Sequence, residues 1–497
     1  MSHSPPRWLD RRALPGLILL YLVLGSLYAL YTPAWQAPDE PAHYNYVRYV
    51  AEQHCFPILK PGDYPAAYLE EIKAARFPPG MSIAPLRYEF HQPPLYYLLA
   101  VPFYSLFGGA LLPLRFLSLA LGALLLLVVH WAAETVVPQQ PYLALGATAF
   151  VAFLPMHLTM TAAVNNDTLA ELLLATILLL TIRYLRQAER PPAERQDRQL
   201  LILLGVTTGL GLITKSAVYI ALPLVLLSIA LRHLWLDRPA PPAAVSLRDA
   251  ILYVCPALAL ALPWWMRNVA LYGGLDFLGL GRHDQVVVGQ LRSAEFVARQ
   301  GSGRLVYDFF LTSFHSFWGQ FGWMGVLLDQ RLYQALAILS ALALIGFLLW
   351  ATRAWQRRGQ YPDWQKAAAG LLLASAGGTL LTYIWYNTQF VQHQGRYLFP
   401  ALVPIGLGFA LGWREALRRE RAWLVAALLL IGAVLLRLAG WLPNWPLLML
   451  LATVAALLVR RFLLPSWTPL IQAVPYLALV LLDLASLFLF IVPQLAL

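Results

Sequence analysis

Thirteen apolar runs, each close to the length that a helix needs to cross a bilayer, constrain this chain more than any other feature. A helix rises about 1.5 Å per residue, so about 20 apolar residues span a hydrocarbon core about 30 Å thick. The runs lie at Ala13–Tyr31, Leu111–Ala133, Tyr142–Met160, Thr168–Leu185, Gln199–Thr214, Ala217–Leu236 and Ala250–Ala270. After a polar interval come Leu332–Ala351, Ala367–Ile384, Leu398–Trp413, Ala422–Gly440, Pro446–Val459 and Leu470–Val492. Of the 497 residues 59% are hydrophobic and 12% charged, too few charges to solvate the soluble domains such a length would otherwise allow. The expected fold is all-α and polytopic, with about 13 transmembrane helices.

The first run follows Arg7, Arg11 and Arg12, a flank shared by signal peptides and membrane anchors. It is longer than a usual signal core and no small-x-small cleavage site follows closely, so it reads as an uncleaved span. A cytoplasmic N-terminus puts 21 of the 36 Lys and Arg residues on the inward segments, leaving 15 for the outward loops and all the spans. That is the asymmetry of the positive-inside rule, and it places the chain in the plasma membrane with its long loops outside. The formal charge of +11 would suggest nucleic acid in a soluble protein; here it is a topology signal, and no nucleic-acid partner is expected. The two cysteines, Cys55 in a loop and Cys255 in an apolar run, are not expected to pair.

Two outward segments are long, Thr32–Ala110 and Leu271–Arg331, and loops of this size between short turns usually carry function. Residues 1–413 hold both and form the expected catalytic module. Residues 414–497 add C-terminal membrane helices without a motif of their own. The chain lacks a phosphate-binding P-loop, a His-Glu-x-x-His zinc helix, a Gly-x-Ser-x-Gly elbow and any Asp-x-Asp. ATP-driven pumping and nucleotide-sugar chemistry therefore lose support.

The first long loop opens with Pro38-Asp39-Glu40-Pro41-Ala42-His43-Tyr44, about one turn of helix holding two carboxylates and a histidine. Asp39 stands where an N-cap would, and a well-capped interfacial helix is the plainer reading. Charges at a membrane face are costly unless paired or working, which favours the chemical one. The same loop ends in His91-Gln92-Pro93-Pro94-Leu95-Tyr96-Tyr97, the start of an apolar helix too short to span and suited to the interface. Asn165-Asn166-Asp167 fills the turn after the third run, where capping and ligand binding can coexist. Lys215 follows Gly211-Leu212-Ile213-Thr214; Arg267 and Asn268 follow Pro263-Trp264-Trp265; His393, Arg396 and Tyr397 precede the tenth span. Each cation reads alone as a snorkelling anchor. Together on the outward face they suit a phosphate at headgroup depth. The run from Ser313 to Met324, rich in Phe, Trp and Gly, reads as an aromatic belt helix or as a wall for a lipid or sugar ring.

In this order the motifs resemble the GT-C class of integral-membrane glycosyltransferases, which includes protein O-mannosyltransferases, the lipid A aminoarabinose transferase and a related bacterial group of multi-span proteins. The resemblance implies a GT-C-like fold, a polyprenyl-phosphate-linked sugar donor and transfer on the outer face, to an acceptor left open among lipid, glycan and protein. It makes Asp39, beside Glu40, the catalytic carboxylate. Asp167 becomes a second acid that arranges the site or a divalent metal, and Lys215 and Arg396 lie near the lipid phosphate. The chain departs from the pattern in carrying His43 after the carboxylates, which allows Asp39, His43 and Asp167 as metal ligands.

The residues themselves allow a single displacement. Asp39 would take the acceptor's proton, while Lys215, Arg267, Arg396 and Tyr397 would receive the departing phosphate. His43, His91, Asn166, Asp167, Asn268 and His393 would support substrate. One displacement predicts inversion at the anomeric carbon. Three alternatives remain at this level. They are a lipid-linked sugar flippase or transporter, a structural subunit, and a metal-independent glycan polymer ligase relying on Arg282, Arg292, Arg299 and Arg304.

Overall fold

The computed structural model describes residues 7–238, 240 and 242–496, and the side chains of 7–12 are not among the features described. The basic flank Arg7, Arg11 and Arg12 therefore falls outside the described side chains. All thirteen expected segments are helical. Among the described residues nine helices are long and apolar enough to cross a membrane, against the 13 expected. A tenth is the pair Pro141–Ala152 and Pro155–Thr161, bent by 67° where Pro155 cannot continue the preceding helix. The other three, Asp197–Leu212, Ala422–Leu438 and Asn444–Arg460, have 16, 17 and 17 residues.

Asp197–Leu212 nevertheless runs the full depth of its neighbours. At one end Arg232 meets Asp197 at 2.6 Å, and just past the other Lys215 meets Asp167 at 2.6 Å. The Arg232 end holds further ion pairs, including Arg195–Asp237 at 2.9 Å and Arg353–Glu415. The Lys215 end carries the two long loops.

Without a hydrophobic drive between helices inside lipid, small residues allow the close backbone approach that packing needs. Gly346 on Gln330–Gln356 and Gly412 on Leu402–Ala416 face each other in this way: a methyl group on either would run into the other helix's backbone. Arg115, on Leu111–Val136, ties this frame to the first loop. Glu40 takes its Nε at 2.8 Å and its Nη2 at 2.6 Å, and Nη1 donates to the carbonyls of Ala29 and Thr32 where the first span ends.

The first loop folds into the helices Glu40–Gln53, Ala66–Ala74 and Leu95–Leu106 over a small core of Ala42, Leu69, Ile72, Phe77, Leu86 and Tyr88. Leu95–Leu106 is the expected short helix after the double proline. It buries Tyr96 and Tyr97 and exposes Leu98, Leu99, Phe103 and Leu106.

In the second loop the helix Ser302–Trp318 leads into a hairpin pairing Gln320–Phe321 with Val326–Leu327. The aromatic run is not an interfacial belt. Trp318 and Phe321 are each 1% exposed within the main core, because the helix packs on the segment before the tenth span. Near the C-terminus Thr468–Ala485 packs beside the first span, where the Tyr28 hydroxyl donates to the Asp483 carbonyl at 2.8 Å.

Candidate active site

Asp39 precedes the helix Glu40–Gln53 as the expected cap residue, but with φ 66° its side chain does not cap. A left-handed backbone at a non-glycine residue costs about 1–2 kcal/mol. Here it sends two adjacent carboxylates to different places. Glu40 is fully buried, and its oxygens accept from Arg115, from the Val164 amide at 3.2 Å and from the Trp35 amide at 3.1 Å. Asp39 keeps 28% of its side chain exposed. It accepts from Arg396 Nη2 at 2.9 Å and from the Tyr88 hydroxyl at 3.0 Å.

Arg396 reaches Asp39 because Gly395 lets the chain press against Ser302–Trp318. A methyl group at Gly395 would meet the Ser313 carbonyl and the Phe317 amide. The Gly395 amide donates to Ser316 Oγ at 2.7 Å, and Arg396 Nε donates to Gln394 Oε1 at 2.7 Å.

A second acid–base pair stands alongside. Asn165 Oδ1 accepts from the amides of Asp167 and Thr168, so Asn165 caps Asp167–Arg186 and frees the Asp167 carboxylate. Lys215 Nζ lies 2.6 Å from Asp167 Oδ1 and 3.0 Å from Asn166 Oδ1. Asn166 Nδ2 donates to Gln92 Oε1 and to the Thr214 carbonyl. The two pairs feel each other: Arg396 acts on Lys215, and Asp39, Asp167 and Lys215 all act on His43.

The electrostatics set the protonation states. Burial pushes the Asp39 carboxyl up, but the Arg396 charge, its hydrogen bond, His43 and Tyr88 outweigh burial and hold it below its ordinary value. Burial also opposes the charge on Lys215, and Asp167 more than restores it, so the ammonium is held above its ordinary value. His43 is buried with Nδ1 2.8 Å from the Tyr97 hydroxyl, and burial pulls its pKa down. His91 is pulled well down by burial, with the His283 ring 4.6 Å away adding to the effect. Both imidazoles are neutral near pH 7.

The remaining expected residues sit differently. Arg267 stacks over Trp264 and donates to the carbonyls of Pro57 at 2.6 Å and Phe56 at 3.3 Å, clamping the first loop rather than joining Lys215 and Arg396. Buried Asn268 donates to the Phe277 carbonyl at 3.0 Å. His393 pairs through Nδ1 with Asn387 Oδ1 at 2.8 Å, while its buried Nε2 has no partner among the described residues. That ring lines a cavity of about 520 Å³ with Gln392, Gln394, Thr312 and Arg304, next to Arg396 through Gln394. Tyr397 packs between Tyr383, Tyr386 and the Arg396 guanidinium.

Among the described residues no three His, Cys, Asp or Glu side chains stand close enough to hold a metal. Asp39 and Asp167 each face a cation and His43 faces Tyr97, so this donor set does not fit a resident divalent ion. Sequence reasoning passed over Arg115, Tyr88, Gln92 and Glu89. Glu89, whose Oε2 is buried without a partner among the described residues, acts electrostatically on both His43 and Lys215. The stretch Tyr88-Glu89-Phe90-His91-Gln92, polar groups packed just before the double proline, was the available signal.

The comparisons with known proteins fall on this arrangement. The family model for dolichyl-phosphate-mannose-protein mannosyltransferase matches residues 77–270, which include Asn166, Asp167 and Lys215 but neither Asp39 nor Arg396. No curated protein sequence matches the chain. The structure is similar to the Archaeoglobus fulgidus oligosaccharyltransferase crystallised with a tethered acceptor peptide, with a TM-score of 0.53 and 14% identity. That match covers 96% of this chain and 56% of the other, so the chain spans little more than half that relative's length. It is also similar to ArnT from Cupriavidus metallidurans bound to undecaprenyl phosphate, with a TM-score of 0.50, 15% identity, and 95% and 76% of the two chains covered. The fold is that of the GT-C glycosyltransferases, and the chain is a multi-pass membrane protein.

Proposed function

We propose that the protein is an inverting glycosyltransferase that moves a sugar from a polyprenyl-phosphate carrier to an acceptor on the outer face of the plasma membrane. The observation that carries this reading is the Asp39–Arg396 pair standing beside Asp167–Lys215, two reachable acids each held by a cation. The ArnT relative was crystallised with a polyprenyl phosphate, which agrees with such a carrier. The outward placement rests on the basic residues gathered at the opposite end.

Asp39 takes the proton from an acceptor hydroxyl or amine as that atom attacks the anomeric carbon. The bond from that carbon to the phosphate oxygen breaks, and its electrons leave with the polyprenyl phosphate. Arg396 and Lys215 receive the charge gathering on the phosphate, Arg396 turning from Asp39 toward it. Attack opposite the leaving group inverts the carbon. Glu40, with both oxygens occupied, positions Asp39 through Arg115. Asn166 and Gln92 hold Lys215, Arg267 and Asn268 hold the loops, and the His393 cavity lies where the donor sugar would sit.

Mass spectrometry of cell-envelope glycans and lipid carriers, with and without the protein, tests the reading. A missing sugar with accumulated carrier is expected. Labelled lipid-sugar crossing proteoliposomes without a glycosyl product would overturn it in favour of a transporter.

A further inference from the structure

The helix Ser302–Trp318 has two chemically different faces. Arg304, Asp308 and Thr312 recur every four residues and line the cavity of about 520 Å³ that holds His393. Val306 and Phe310 follow Arg304 and Asp308 by two residues, about 200° round a helix, and so lie on the opposite side. Val306 is 54% exposed, its neighbour Tyr307 57% and Phe310 68%, and nothing among the described residues covers them. Large side chains left open together on a loop helix mark a surface that something outside the chain covers.

The position of the helix identifies that cover. Phe309, between the two faces, stacks on Tyr383 with ring centres 5.2 Å apart, and Ser313 Oγ shares a hydrogen bond with the Tyr383 hydroxyl. Tyr383 belongs to Asp363–Gln389, one of the helices long and apolar enough to cross a membrane. It stands about 30 Å along the axis from Asp363, the thickness of a hydrocarbon core. Within a turn of it Leu381, Ile384 and Trp385 are exposed, the surface that a span presents to lipid. Val306 and Phe310 therefore stand beside a lipid-facing surface, at the level where the hydrocarbon ends.

The chemistry around them suits that level. Tyr307 and Trp385 are rings with one polar atom each, the type enriched where a bilayer meets water. Arg304 lies 5.6 Å from the centre of the Tyr307 ring and pairs with Asp308 at 2.9 Å, keeping its charge on the cavity side. A protein partner on this face would have to displace the lipid that the neighbouring span requires. Further along, Trp318 turns into the core, so only the first half of the helix is open in this way.

We infer that the first half of Ser302–Trp318 is an interfacial helix that seats the second loop in the bilayer leaflet at the Lys215 end of the bundle. Val306 and Phe310 dip into the apolar layer, Tyr307 lies among the headgroups, and Arg304, Asp308 and Thr312 keep the opposite face polar. The seat fixes the mouth of the His393 cavity at headgroup depth.

The full chain carrying Cys55→Ser and Cys255→Ser, in phosphatidylcholine nanodiscs, takes a nitroxide label at Val306→Cys or Phe310→Cys. Leu381→Cys serves as the lipid reference and Glu194→Cys, in an exposed turn, as the aqueous one. Relaxation by oxygen against relaxation by a nickel chelate reads the depth of each label. Both test labels are expected to favour oxygen, as Leu381→Cys does, at about 5–10 Å below the headgroup level. A preference for nickel like that of Glu194→Cys would overturn the inference, and shielding from both reagents would overturn it in favour of a protein partner. The unsubstituted chain reads the same face in nanodiscs holding a diazirine-bearing phosphatidylcholine. Photolysis is expected to leave adducts on Tyr307 or Phe310 as well as on Trp385, and adducts on Trp385 alone would overturn the inference. Neither readout depends on turnover.

Discussion

Arg396 holds Asp39 at 2.9 Å across 357 positions of sequence, and neither side chain has another ionic partner among the described residues. Each charge is partly desolvated and is balanced by the other. If Asp39 is the base, as proposed, Asp39→Asn keeps the shape and removes it, so turnover is expected to fall about 100- to 10,000-fold with little change in thermal stability. A transfer assay beside a melting curve in detergent checks both.

Lys215 is held by Asp167 and Asn166 with its ammonium partly exposed. If it receives the carrier's phosphate, Lys215→Met should raise the donor KM and lower kcat/KM about 10- to 100-fold. Acceptor KM should stay unchanged. A donor titration at fixed acceptor distinguishes this from a general loss of fold.

The buried Glu40–Arg115 pair makes the opposite prediction. Removing one partner leaves an uncompensated buried charge, so Arg115→Met is expected to destabilise the protein by about 3–5 kcal/mol. Activity per folded molecule should change far less than in Asp39→Asn. Thermal unfolding with and without polyprenyl phosphate reads the difference.

Acid should act in two stages. Burial lowers the His43 pKa, so below its unfolded value of about 6.5 the unfolded chain binds a proton that the folded chain does not, and stability falls with pH. The Asp39 value is lowered as well, Arg396 outweighing burial. Its contribution is therefore present above the unfolded value of about 3.9 and is lost as pH falls through the folded one. Arg396→Gln removes the main opposing charge, so burial should dominate and move the acid limb of kcat/KM to higher pH. A pH–rate profile of the two proteins shows the direction.

Gly395 has no room for a methyl group against Ser302–Trp318. Gly395→Ala is expected to cost about 1–3 kcal/mol and to shift Arg396 off Asp39. Lower stability together with a changed pH profile would show both effects, and melting curves with rate profiles measure them.

Periodicity and run length carried most of the fold, because burial in lipid depends on local composition. All thirteen apolar segments are helices, and the double proline marked the short helix that begins at Leu95. Three of these segments, of 16, 17 and 17 residues, are helices shorter than the about 20 residues of a usual span. The belt reading of the aromatic run after Ser313 failed because nothing local tells a belt facing lipid from a helix packed on another segment.

The sequence by itself determined that acids and cations would meet at one end of a helical bundle, since alternating spans leave them no other place. It also marked Asp39, Asp167, Lys215 and Arg396 by their position beside span ends. Only the tertiary structure decided which neighbour stays reachable and which is locked away. Glu40 is locked by Arg115, 75 positions away, while Asp39 stays partly open opposite Arg396, and Arg267 turns to loop carbonyls. The physical reason is that an ion pair's worth depends on distance and on the solvent excluded around it. Both are set by residues far apart in the chain, so adjacent carboxylates that look equivalent as letters have different chemistry once folded.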